Sequence, residues 1–219
     1  MLPGITLAGG KVKNPFVHTD ILWDSDVNLD GLYQSYELKD GYFRPFVTLA
    51  AGYYDFDEYE RSFRGTNGNA VDGDGVLAAG DFNIVDVVAE LGTKLGGVPV
   101  KVIFDYAVNT ADDARGASQF EGKDTAIAGH LKIGKCKAKG DWELKYKYAF
   151  IEANAVPGDF CDSDFGHANR KGHKLSLGYK PFNKASLHVT GLLTEPKDLL
   201  KGQRSLDHFT VQTDLVVKL

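Results

Sequence analysis

Phe209, Val211, Thr213, Leu215, Val217 and Leu219 occupy alternate positions at the end of the chain, and the residues between them are mostly polar. Such strict alternation describes a β-strand with one apolar and one polar face, because successive side chains of a strand point to opposite sides. The pattern recurs upstream. Trp142, Leu144, Tyr146, Tyr148 and Phe150 alternate with Glu143, Lys145 and Lys147, and Val100, Val102, Phe104, Tyr106 and Val108 alternate with residues that include Lys101, Asp105 and Asn109. Period two predicts strands over 46–55, 83–95, 98–109, 125–134, 142–152, 173–180, 186–194 and 208–219, with weaker candidates over 5–11 and 32–38. A soluble sandwich also alternates, but its apolar face is sealed under a second sheet. Here the apolar stripes are long, continuous and rich in aromatics near their ends, as in a barrel that faces lipid outside and a lumen inside. At about 3.3 Å per residue and a tilt of about 45°, a full-length segment spans the ~25 Å apolar band of an outer membrane.

The connections alternate as well. Those over 38–42, 95–98, 134–141 and 180–185 are short, whereas 56–81, 109–124, 153–171 and 195–207 are long and rich in Gly, Asp and Asn. An up-and-down barrel produces this order, with tight periplasmic turns on one rim, extended extracellular loops on the other, and both termini on the periplasmic side. The expected fold is therefore all-β: one domain over 1–219, an antiparallel up-and-down transmembrane β-barrel of about ten strands.

Composition narrows the function. A formal net charge of -5 gives no support to nucleic-acid binding, which needs a basic face. No apolar run approaches the ~20 residues of a membrane-spanning helix, so a chain that meets the bilayer must cross it with strands. The hydrophobic fraction of 43% agrees with that, since only alternate barrel residues touch lipid. The first residues lack the basic start and apolar core of a secretory leader, and the chain is expected to be a mature form or a piece of a longer protein. Cys136 and Cys161 are too few for a disulfide framework. They are expected to be free and on opposite rims, with Cys161 open to an external thiol reagent if its loop leaves it accessible.

The inward charges are the candidate chemistry: Asp86, Glu90, Lys94, Lys101, Asp105, His130, Lys132, Glu143, Lys145, Lys147, Lys174, His188, Asp214 and Lys218. In a pore, rings of such side chains set the field that a permeating ion feels. In a narrow barrel they equally well fill the interior as salt bridges. Lysines outnumber acids on this face although the whole chain is acidic.

The sharpest local motif runs from Asp26 to Glu37. It places Asp26, Asn28, Asp30, Gly31 and Glu37 at the defined positions of a calcium-binding EF-hand loop. That motif also demands flanking helices, for which Pro15 and Lys39-Asp40-Gly41 leave little room, so the preferred reading is an Asp-rich loop opening into a strand. The six histidines show no metal-site spacing, neither cysteine has a CxxC partner, and no Gly-rich phosphate loop stands between a strand and a helix. Nothing in these motifs points to an enzyme or to a cofactor.

Six short words occur in order: Asn14-Pro15-Phe16, Trp23-Asp24-Ser25-Asp26, Ala51-Gly52-Tyr53-Tyr54-Asp55-Phe56, Leu95-Gly96-Gly97-Val98-Pro99-Val100, Gly140-Asp141-Trp142-Glu143-Leu144 and Asp162-Ser163-Asp164-Phe165-Gly166. In these words the chain resembles the carboxy-terminal half of the "putative porin" family of Gram-negative outer membranes. The resemblance implies an outer-membrane barrel that lets small hydrophilic solutes or ions diffuse passively; the partners expected are the lipid bilayer and those solutes, with monomer and homo-oligomer both left open. Between Tyr36 and Tyr42 the chain is expected to be shorter than such relatives by about one hairpin, a loss that keeps the up-and-down parity. The alternatives are a non-conducting structural or adhesive outer-membrane barrel and a soluble lipid-binding barrel, which would bury its apolar face inward and turn its charges outward.

Overall fold

The computed structural model describes residues 4–13, 21–24, 27–39, 46–55, 68–69, 82–111, 120–199, 205 and 207–218. Among these residues ten strands lie in one sheet in sequence order, β1 (Gly4–Lys13), β2 (Asn28–Lys39), β3 (Phe46–Asp55), β4 (Asn83–Leu95), β5 (Val98–Asn109), β6 (Thr125–Gly134), β7 (Trp142–Ile151), β8 (Arg170–Phe182), β9 (Ala185–Pro196) and β10 (His208–Val217). Each is antiparallel to the next. The all-β up-and-down expectation holds. Among the described residues no ladder joins β1 to β10, so these two are the ends of the sheet.

The period-two segments coincide with β3 to β6 residue for residue and with β7, β9 and β10 to within two positions at either end. The remaining three strands, like β9, are longer than their apolar alternation suggests. β1 and β2 extend the weak candidates, and β8 begins at Arg170 rather than 173. In β8, Lys171, Gly172 and His173 interrupt the apolar stripe, yet they continue the ladder with Glu195, Thr194 and Leu193. Backbone pairing, not hydrophobicity, carries those residues.

The short connections all fall at one end of the sheet, the turn end, and the long ones at the other, the loop end. Gly96 and Gly97 form the two-residue turn between β4 and β5 with φ of 57° and 83°. Two successive positive φ values match the strand twist, and glycine adopts them without a steric penalty. Between β6 and β7, Asp141 Oδ2 accepts the backbone N–H groups of Lys137 at 3.0 Å and Ala138 at 2.8 Å. That pair of bonds holds the carboxyl of Asp141 below its ordinary range.

The two faces differ as the alternation predicts. The outer face exposes Ile5, Leu7, Leu32, Leu49, Leu91, Phe104, Trp142, Leu177, Leu193 and Phe209, with Leu7 at 75% and Phe209 at 70%. Large apolar side chains exposed on nine of the ten strands, with the half-buried Ile127, Leu131 and Ile133 on β6, exceed the patch that a water-facing surface carries. The inner face is covered toward the loop end by the chain's own connections. Ile21, Leu22, Trp23, Phe82, Val156 and Phe165 from those connections pack with Tyr54, Ile84, Val88, Ile103 and Ile151 of the strands. Ala107, Ala126, Ala128 and Ala149 make the wall shallow there, which leaves room for the segment 153–168 to lie against it.

Candidate functional site

The inner face has two zones. Toward the loop end, segments remote in sequence are held by backbone and amide hydrogen bonds. Asp24 N–H donates to Phe160 O at 2.7 Å and Asp162 N–H to Ile21 O at 3.1 Å, tying the β1–β2 connection to the β7–β8 connection. Asn69, from the β3–β4 connection, donates through Nδ2 to Ala153 O at 2.7 Å and Val156 O at 2.9 Å, and its Oδ1 accepts Gly158 N–H at 2.7 Å. Asn109 Nδ2 donates to Asn154 O at 3.0 Å, and Asn154 Nδ2 to Phe120 O at 3.3 Å. A buried loop must satisfy its backbone polar groups, and these amides do so. Trp23 anchors the assembly to the wall. Its indole N–H donates to Asp86 Oδ2 at 2.6 Å, and its ring meets Tyr54 edge-on at 5.8 Å between centroids.

Toward the turn end the wall carries charges. Glu90 of β4 pairs with Lys101 of β5. Glu143 of β7 takes Lys132 of β6 on Oε2 at 3.1 Å and Lys145 on Oε1 at 2.9 Å. Midway along the strands, Lys174 of β8 meets Asp162 of the loop segment at 2.6 Å. The strand register brings His130, Lys147 and Lys174 side by side across β6, β7 and β8.

Asp86, Glu90, Asp105, Glu143 and Lys147 are buried, and Lys101, His130, Lys132, Lys145, Lys174 and His188 are half-buried; all eleven sit at inner positions of their strands. His188 Nε2 lies 3.2 Å from Ser186 Oγ. Lys94, Asp214 and Lys218 share the inward parity but stand apart, exposed near the β4–β5 turn, on the end strand β10 and just past it. Trp23, Tyr54, Asn69, Asn154 and Asp162 were not expected from the alternation, and most lie in connections, where periodicity is silent; Asn109 sits at the inward position that alternation gave it.

The preferred reading, chain opening into a strand rather than a calcium loop, is the one β2 takes. Asn28, Asp30 and Glu37 all fall within β2, and Asp26 lies outside the described residues. Extended chain separates Asn28 from Glu37 by roughly 30 Å, whereas calcium ligands converge at about 2.3–2.6 Å from the ion. Asp30 and Glu37 also differ in parity and so point to opposite faces. Among the described residues no group of three or more His, Cys, Asp or Glu is arranged to hold a metal.

Both cysteines are free and lie beyond opposite ends of β7, Cys136 in the β6–β7 turn and Cys161 in the β7–β8 connection. Accessibility differs from the expectation. Cys161 is buried, and burial with the nearby Asp162, Asp159 and Asp24 pushes its thiol far above the ordinary range. Cys136 is half-buried, and desolvation followed by the charge of Glu143 raises it too.

A family model described as "Putative porin" matches residues 3–72 and 58–194. The chain belongs to this putative porin family. No curated protein and no solved structure matches it. Among the described residues no helix is long and apolar enough to cross a membrane, which says nothing of a β-barrel. In a porin the lipid-facing and lumen-facing residues alternate along each strand. On β7 the exposed Trp142, Tyr146 and Tyr148 alternate with the more buried Glu143, Lys145 and Lys147.

Proposed function

We propose that this porin-family chain spans the outer membrane of a Gram-negative bacterium as a closed barrel and lets small hydrophilic solutes diffuse through it. The observation that carries the reading is the division of faces, large apolar residues outward along the sheet and most charges of β4 to β9 inward. In lipid an unpaired strand edge leaves N–H and C=O groups without partners at several kcal/mol each, so β1 and β10 are expected to meet. They run in opposite directions across the sheet, as antiparallel closure requires. The mechanism is passive: a polar wall substitutes for part of the hydration shell, and the infolded segments 21–24 and 152–169 set the narrowest section.

Those infolded segments and the paired charges also favour a second reading, a plugged barrel that conducts nothing and serves a structural or adhesive role. Planar-bilayer recording separates the two. Discrete, ohmic conductance steps support the porin. Membrane insertion with no steps supports the plug.

A further inference from the structure

Lys101, Lys132 and Lys145 stand directly opposite one another across β5, β6 and β7, all at inner positions. Like charges in direct cross-strand register destabilise a sheet. The same register row continues through Ser176, Thr190 and Gln212 on β8, β9 and β10, whose side chains are neutral hydrogen-bonding groups. Lys132 and Lys145 share one carboxylate, Glu143, each on a different oxygen, at 3.1 and 2.9 Å. Glu143 lies beneath them, 6% exposed, while their own side chains are 33% and 34% exposed. Gly178, opposite Glu143 in the register, makes that arrangement possible. A Cβ there would come within 2.9 Å of Glu143 Cγ and 2.8 Å of His188 Nδ1.

Two ammonium groups on one carboxylate leave a net positive charge. Each ammonium has three donors and gives one to Glu143, so donors remain to face the interior. We infer that Lys132 and Lys145 form an anion-binding station on the lumen wall, which selects small solutes carrying a carboxylate or phosphate group. The inference rests on the porin reading and names its substrate class. Glu143 serves as a positioning residue that holds the two cations at one height. The hydroxyl of Ser176, next in the row and 2.9 Å from Thr190 Oγ1, extends the station with a neutral partner.

The test uses the full chain refolded in detergent and inserted into planar bilayers under a potassium chloride gradient. Wild type and Lys184→Gln, a change in the exposed β8–β9 turn outside the inward charge set, are expected to show an anion-favouring reversal potential. Lys132→Gln with Lys145→Gln should abolish that preference, and Lys132→Glu with Lys145→Glu should reverse its sign. A conducting double variant with the wild-type reversal potential overturns the inference. If the wild type inserts but does not conduct, the porin reading fails by itself, and titration of the detergent-folded protein with inorganic phosphate decides the station. Loss of about tenfold or more in phosphate affinity in the Lys-to-Gln double variant supports it. Equal affinity, or no phosphate binding by the wild type, overturns it. Should the double variant not fold, Lys132→Gln alone keeps Lys145 on Glu143, and an unchanged reversal potential or phosphate affinity in that variant is equally contrary.

Discussion

Trp23 shows what a single residue does in this chain. Its indole N–H reaches a buried carboxyl oxygen of Asp86 on β4, and the backbone of its neighbour Asp24 donates to Phe160. Trp23→Phe keeps most of the ring but removes the donor. The loss should be about 1–3 kcal/mol in the folded protein, read as a shift in the urea midpoint. No shift would mean that Asp86 does not depend on that bond. The cysteines give a second residue-scale prediction. In the folded protein at neutral pH a maleimide should leave Cys161 unmodified until denaturant is added, because the thiol is buried and hard to ionise. Rapid labelling of Cys161 in the native state would contradict the packing of 152–169. The inward position of Asp86 was legible from alternation. Its partner was not, since Trp23 sits in a connection whose side chains follow no period.

At the scale of elements, β7 carries the clearest alternation and the sharpest test of faces. Leu144→Arg puts a charge on the outer face and should destabilise the protein in a bilayer by ~2–4 kcal/mol. Lys145→Ala leaves Glu143 still paired with Lys132 and should cost much less. Similar losses from both changes would refute the assignment. The β6–β7 turn makes a pH prediction. Asp141 is held below its ordinary range by two backbone N–H bonds, so its contribution is complete above about pH 3.9 and lost as the pH falls through the lower folded value. The stability gap between wild type and Asp141→Asn should therefore be largest near neutrality and shrink toward zero in strong acid. A gap that stays constant from neutral to strongly acid pH would contradict the two bonds. Strand positions were legible because backbone pairing and the outward apolar stripe share a period of two. At the start of β2, Asn28, Asp30 and Glu37 carry the spacing of a metal loop, while spacing says nothing about extended backbone.

For the whole molecule, the order of strands and the two ends of the sheet followed from connection lengths alone, because an antiparallel meander has little other way to place short and long links. The packing of connections onto the inner face did not follow. It depends on contacts such as Asn69 with Ala153 and Gly158, and on alanines at 107, 126, 128 and 149 that make the wall shallow, which show only once remote strands are brought side by side. Membership of the porin family and the division of faces lead to one central claim, that the outer face meets lipid and the inner face does not. Spin labels placed one at a time along β7 of the reconstituted protein, lacking its native cysteines, test it most directly. Collisional access to lipid-soluble oxygen should be high at 142, 144, 146, 148 and 150 and low at 143, 145, 147 and 149. Access without that alternation, or with the opposite phase, would contradict the account.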